Sequence, residues 1–149
     1  MTCEGRPYLG VAIGTDRFAK EFIAEKVKEW SAEVLLLAKI AESQPHAAYS
    51  ALTHGLSSRW RYVFRTLPDI AECLQPLEDV IRCTLLPTLL GISPPNDTIR
   101  DLVALPPCWG GLGIFNPSVQ CNQEYSASLD ITGPLSHCTG SSQVLIILI

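Results

Sequence analysis

The side chains of this sequence able to hold a metal are Cys108, Cys121, His137 and Cys138, and their spacing does not suit one. A structural zinc site draws on ligand pairs at short, regular intervals, whereas adjacent His137 and Cys138 follow two long gaps. A cysteine–histidine hydrolase needs a thiolate, an imidazole and an orienting group brought together. His46 and His54 stand in one stretch of chain, and no cysteine sits in a recognisable nucleophile motif. Asp69 with Glu72, and Glu78 with Asp79, are acidic pairs at helical positions and read as solvent-facing charge. Two-metal nucleotidyl transfer needs convergent carboxylates, commonly with an aspartate on a strand or hairpin. The strand candidate at residues 8–14 carries no acid. No catalytic residue, metal site or cofactor is therefore expected in this chain by itself.

Positive charge gives the stronger signal. Residues 43–67 read SQPHAAYSALTHGLSSRWRYVFRTL, with Pro45 just after a capping position and no further proline until Pro68. That predicts one helix over 45–67, about six turns long. At ~100° per residue, Ala48, Leu52, Gly55, Leu56, Trp60, Val63, Phe64 and Leu67 share one half of it. His54, Ser58, Arg61, Tyr62 and Arg65 share the other, beside the small Ala47 and Ala51. Such a helix buries one side and presents a basic, aromatic-edged side to something else. Arg59 is the misfit, projecting into the apolar arc unless Gly55 bends the helix or resets its phase. A solvated face, with arginines that only keep the helix soluble, is the competing reading.

The rest of the chain supplies the frame. Its 149 residues suit one domain with a sizeable core, and 47% apolar against 17% charged residues excludes a disordered polyelectrolyte. A net charge of −4 and a pI near 5.3 exclude whole-molecule attraction to nucleic acid, so any such contact must be local. The first residues show no charged-then-apolar leader, which predicts an intracellular protein, nuclear or cytoplasmic. The six cysteines include no CxxC pair and are expected as free thiols rather than disulfides.

In order, Tyr8 to Gly14 alternates Leu9, Val11 and Ile13 with Gly10, Ala12 and Gly14, the period of a short strand. Its small face either admits another backbone or belongs to a plain edge strand. Thr15 or Asp16 caps a long helix to about Glu42, with Ile23, Val27, Trp30, Val34, Leu37 and Ala41 as its seam. The short connection to the next helix predicts an antiparallel helical hairpin with Trp30 and Trp60 in the core. Pro68 opens a third segment, with Asp69 in its first turn and Ile70, Leu74, Leu77, Ile81 and Leu85 as its stripe. Pro76 and Pro87 divide it and Gly91 ends it. Asn96 or Asp97 caps a helix to about Ala104 that turns Ile99, Leu102 and Val103 inward. Residues 105–114 are an irregular turn with positive φ at Gly110 and Gly111, returning Leu112 and Ile114 to the core. Asn116 and Pro117 start a last helix to about Ile131. The ending VLIILI is too short to span a membrane and has the character of a self-associating strand.

The segments GRPYLGVAIG, KVKEW, AESQPHAAYSALTHGL, RWRYVFRTLPDI, LPPCWGGLGIFNPS and EYSASLDITGPL occur in that order. In order and spacing they resemble the region that follows the polymerase active site in reverse transcriptases of non-LTR-type retroelements of invertebrate genomes. The resemblance spans residues 5–135. It implies a mainly α fold: a short N-terminal strand, a helical hairpin and further short helices, together a thumb-like bundle. Residues 1–14 would be the palm-end strand, 15–91 the thumb-like bundle and 92–135 a connection-like segment. Residues 136–149 do not match the family and are expected to be a disordered apolar tail. Carried over, Tyr8, Leu9 and Gly10 close the palm near the primer grip. His54, Ser58, Arg61, Tyr62 and Arg65 lie on the helix that packs along template–primer duplex.

The sequence contains no YxDD motif, so the Mg²⁺ ions of the parent polymerase have no ligands here. The resemblance thus implies a non-catalytic region that binds RNA–DNA or DNA duplex weakly and without sequence preference. It implies no membrane partner, and the tail adds an expected self-association. The alternative function is a helical protein-interaction module with no nucleic-acid role.

Overall fold

The computed structural model describes residues 5–137, with side chains as far as 133. Cys3, Cys138, the His137 side chain and almost all of the tail expected at 136–149 lie outside the described residues. The fold is mainly α, with a two-stranded antiparallel sheet at its start.

Strands β1 (Gly5–Tyr8) and β2 (Val11–Gly14) pair with Tyr8 opposite Val11 and Gly5 opposite Gly14. The single strand expected over 8–14 is therefore corrected to a hairpin. Leu9 and Gly10 form its two-residue turn, both at positive φ (49° and 83°), as a type I′ turn requires. Pro7 faces Ala12 at a position whose main-chain nitrogen points away from β2, so its missing donor leaves the ladder intact and blunts the outer edge. Val11 and Ala12 are buried, and β2 packs on the next helix.

Helix α1 (Asp16–Ala41) begins where Thr15 Oγ1 accepts the Phe18 N–H, the expected cap. Ile23, Val27, Trp30, Val34, Ala38 and Ala41 are buried along it, with Ala38 fully inside and Leu37 half-buried at the seam's edge. After a three-residue link the chain turns back along α1. The predicted helix over 45–67 forms as three joined pieces: α2 (Pro45–Ser50), a π-helical segment (Ala51–Leu56) and α3 (Ser57–Phe64). The Ser57 N–H bonds the Leu52 carbonyl five residues back, which absorbs one residue into a wider turn. In an unbroken α-helix Leu52 and Trp60 stand about 80° apart. With one residue absorbed, Ala48, Leu52, Trp60 and Phe64 return to one buried side. The phase reset also resolves Arg59, which turns outward to meet Glu33 of α1 at 3.0 Å. Gly55, expected on the apolar side, is exposed.

Pro68 and Asp69 do not begin a helix, contrary to expectation. Asp69 has φ of 52°, a left-handed kink that drops Ile70 into the core, and a 3₁₀ turn starts only at Glu72–Leu74. Then follow α4 (Gln75–Val80), a second π segment (Ile81–Leu85) and α5 (Leu86–Leu90), which ends on left-handed Gly91. Pro76 lies in the first turn of α4, just after the 3₁₀ turn, whereas Pro87 lies where the π segment runs directly into α5, so its missing N–H removes one bond from a continuous helix without dividing it. Ile70, Leu74, Leu77, Ile81 and Leu85 are all buried, as their spacing predicted.

Helix α6 (Asp97–Ala104) is capped by Asn96 Oδ1, which accepts the Ile99 N–H at 2.9 Å. Its orientation reverses the expectation. Val103 is inside, but Ile99 and Leu102 are 40% and 52% exposed, and the side chain that goes in is Arg100. Its partner is Glu78 of α4, so Glu78 is a buried ion-pair member and not the solvent-facing charge its position predicts.

Residues 105–116 fold back on α6. A 3₁₀ turn (Pro107–Trp109) ends on left-handed Gly110, and Gly113 rather than Gly111 is the second residue at positive φ. The Leu112 and Ile114 N–H groups both bond the Val103 carbonyl, which returns Ile114 and Phe115 to the core. Helix α7 (Pro117–His137) starts after Asn116 as expected but continues beyond Ile131 through Gly133 and Pro134. Those residues lie near its end, where one absent donor removes a single hydrogen bond.

Trp30, Trp60, Phe64 and Phe115 form the centre of the core, with ring centroids 6.0–6.4 Å apart in tilted or edge-on pairs. Among the described residues no helix is long and apolar enough to cross a membrane.

Candidate nucleic-acid interface

Helix α3 has two faces. Trp60, Val63 and Phe64 anchor one in the aromatic core, which fixes the rotation of the helix and turns Ser58, Arg61 and Tyr62 outward. His54 lies on the same side in the preceding π segment, and the Ser58 hydroxyl donates to its carbonyl at 3.4 Å. Arg65 continues the face at the helix end. The structure thus brings all five residues named from periodicity onto one exposed side.

It also joins them to the hairpin. The Tyr62 hydroxyl donates to the Leu9 carbonyl at 2.9 Å, and Gly10 lies beside the same ring. Tyr8 and Leu9 are 50% and 58% exposed, so the hairpin tip and the basic face form one continuous surface. Sequence placed these two groups in separate parts of the chain; their junction through Tyr62 is new.

Two residues missed by sequence reasoning complete the surface. The Arg61 guanidinium lies 4.9 Å above the centre of the Phe115 ring, a cation–π contact that holds it against the body. Glu124 of α7 lies between the arginines. Its Oε2 accepts the Arg65 Nε–H at 2.8 Å, and its Oε1 is 3.5 Å from Arg61 Nε. Gln120 Nε2 donates to the same Oε1 at 3.2 Å. The Glu124 side chain is 13% exposed, against 45% and 59% for Arg61 and Arg65. Two guanidinium groups and one carboxylate leave a net local charge of +1. Among the described residues no hydrogen bond engages the Nη atoms of either arginine, so donors remain for a ligand. Nothing in the sequence connects Glu124 to Arg65, 59 positions away, beyond a four-residue spacing to Gln120.

The other candidates do not converge. Cys121 is buried in α7 with its thiol near the Ser118 carbonyl, and burial pushes its pKa above the ordinary value of 9.0. Cys108 is exposed in the 3₁₀ turn. Among the described residues no three His, Cys, Asp or Glu side chains are grouped to hold a metal ion. A shallow apolar groove runs between α1 and the first π segment, lined by Leu36, Leu37, Ala51 and Leu56 and flanked by Glu33 and Arg59.

Comparison of the chain with protein families, with curated proteins and with solved structures found no match.

Proposed function

We propose that this chain is the thumb-like region of a non-LTR-type reverse transcriptase, and that it holds template–primer duplex by its phosphates. Support comes from the ordered motifs, from GRPYLGVAIG to EYSASLDITGPL, and from one observation. Arg61, Tyr62 and Arg65 stand exposed on one side of α3, tied to the hairpin tip at Leu9. On this reading the two arginines meet backbone phosphates, contacts that carry no sequence information and release counterions, so binding is sequence-tolerant, weak and salt-sensitive. His54 and Ser58 extend the face by hydrogen bonding, and Tyr8, Leu9 and Gly10 form its rim near the primer end. The chain supplies no nucleotidyl transfer of its own, and the Mg²⁺ ions belong to the palm of the parent enzyme.

Fluorescence anisotropy of an RNA–DNA hybrid across a salt series tests this. Arg61→Ala/Arg65→Ala is expected to weaken binding and to flatten the log–log salt slope by about 0.9–1.8, at ~0.9 per phosphate contact. Identical affinity and slope in the two proteins, with unchanged helical circular dichroism, overturns the reading. Primer extension with Mg²⁺ or Mn²⁺ is expected to give no incorporation.

The protein-interaction module is the second reading, because of the apolar groove beside α1. Leu36 is exposed in the groove toward Leu56, and Leu35 and Ile40 of α1 are exposed as well, a place for apolar contact. That reading predicts retention of a protein partner at high salt and no response to Arg61→Ala/Arg65→Ala.

A further inference from the structure

We infer that Glu124 stands in for a backbone phosphate between Arg61 and Arg65, so that α7 carries a built-in competitor of the duplex; this rests on the reading of α3 as a duplex-contacting face. The geometry is the argument. One carboxylate presents two oxygens, and each lies toward the Nε of a different arginine, at 3.5 Å and 2.8 Å. A phosphodiester presents two non-bridging oxygens to a guanidinium pair in the same way. Glu124 is not a rim charge that happens to touch an arginine. Its side chain is 13% exposed, and the Gln120 amide holds it from one helical turn away. Arg61 is further held from below by Phe115, so the carboxylate and the ring fix the guanidinium in place before any ligand arrives.

Two consequences follow for the ligand. A phosphate approaching this face meets a net charge of +1 instead of +2, and it meets Arg65 with its Nε–H already bonded to the carboxylate and Arg61 already ion-paired with it. A single phosphate must therefore displace Glu124 from the arginines or share them through the free Nη donors. Either way the carboxylate lowers affinity, and a polyanion with closely spaced phosphates competes better than an isolated anion. The device keeps the face weak by construction, in a chain already at −4 overall.

The full chain is tested with Glu124→Gln, which keeps shape and the hydrogen bond from Gln120 while removing the charge. Glu124→Ala is the second variant, in case the first is altered in folding, and circular dichroism and thermal melting accompany both. The probe is the fluorescein-labelled RNA–DNA hybrid. Removing one fixed negative charge is expected to steepen the log–log salt slope by about 0.9. Taking equal affinities at about 1 M salt, that gives about eightfold tighter binding at ~0.1 M. Affinity that is unchanged or lower in both Glu124 variants, while Arg61→Ala/Arg65→Ala still weakens binding, overturns this inference and leaves the proposed duplex face standing. Absence of binding in the wild type and in every variant overturns both.

Discussion

The Arg100 guanidinium meets the Glu78 carboxylate edge to edge, with Nε to Oε1 at 2.6 Å and Nη2 to Oε2 at 2.7 Å, in residues only 2% and 3% exposed. The same guanidinium donates from Nη1 to the Ile114 carbonyl and from Nη2 to the Phe115 carbonyl. One side chain of α6 therefore ties α4 to the loop that delivers Phe115 beneath Arg61. This pair stabilises less through its charge than it costs to break. Desolvation offsets much of the attraction, but a lone buried charge has no compensation.

Arg100→Met is accordingly expected to destabilise the fold by about 3–5 kcal/mol in urea unfolding, and Glu78→Leu by a similar amount. The double substitution is expected to cost less than the sum of the two, because neither charge is then left alone. It still leaves the Ile114 and Phe115 carbonyls without their donor, so recovery is incomplete. Additive losses would show that the pair is not coupled.

Leu9 holds φ of 49° at an exposed turn position, a conformation that disfavours a branched apolar side chain and suits asparagine. Leu9→Asn is expected to stabilise by roughly 1 kcal/mol, read from the urea midpoint at unchanged slope. The carbonyl that accepts from Tyr62 is main chain and survives the change.

Two glycines should respond oppositely to alanine. A Cβ at Gly111 runs into the Leu105 carbonyl, so Gly111→Ala is expected to cost about 1–3 kcal/mol by forcing the returning loop off α6. Nothing lies within 4 Å of the corresponding position at Gly55. Gly55→Ala is expected to stabilise by about 0.5–1 kcal/mol through loss of unfolded-state freedom. Thermal melts of the two variants separate these outcomes directly.

Cys121 bears on alkaline stability. Its thiol in the fold ionises above 9.0, the value it takes in the unfolded chain, because burial disfavours the thiolate. From about pH 9 upward the unfolded state releases this proton first, so stability present below pH 9 declines as pH rises. Cys121→Ala should remove that part of the alkaline slope in denaturant unfolding. In the native protein at pH 8, a disulfide reagent is expected to label exposed Cys83 and Cys108 quickly and Cys121 slowly.

Local periodicity made the long features readable. The seam of α1, the stripe from Ile70 to Leu85, the caps at Thr15 and Asn96 and the basic side of α3 all follow from spacings within one element. The hairpin does not show in the pattern because Leu9 is an unusual occupant of a left-handed position, and Gly10 alone fits the alternation of a strand. Helix α6 was turned the wrong way because its apolar count favours Ile99 and Leu102. The buried Arg100 is decided by Glu78, 22 residues earlier, and by two carbonyls that only the returning loop brings near. The candidate site divides likewise. Arg61, Tyr62 and Arg65 were found from helical phase, whereas Glu124, Phe115 and the Leu9 carbonyl reach them only through tertiary folding. The misfit of Arg59 is the local clue to the change of phase at Gly55, since in an unbroken helix it would project into the apolar arc.

The π segment at Ala51–Leu56 gives this helix an unusual tolerance in its reading frame. Deleting a residue from an ordinary α-helix rotates everything beyond it by ~100°, which here would swing Trp60 and Phe64 out of the aromatic cluster. Between Ala51 and Leu56 the chain already holds one residue more than a straight α-helix needs to align Leu52 with Trp60. Loss of one codon there would shorten the wide turn to an α turn and leave both ends facing as they do now. The same loss in α3 would exchange the basic face for the core. An in-frame lesion of three nucleotides thus preserves the phase of the helix when it removes an exposed residue of Ala51–Leu56, and destroys it when it falls in α3.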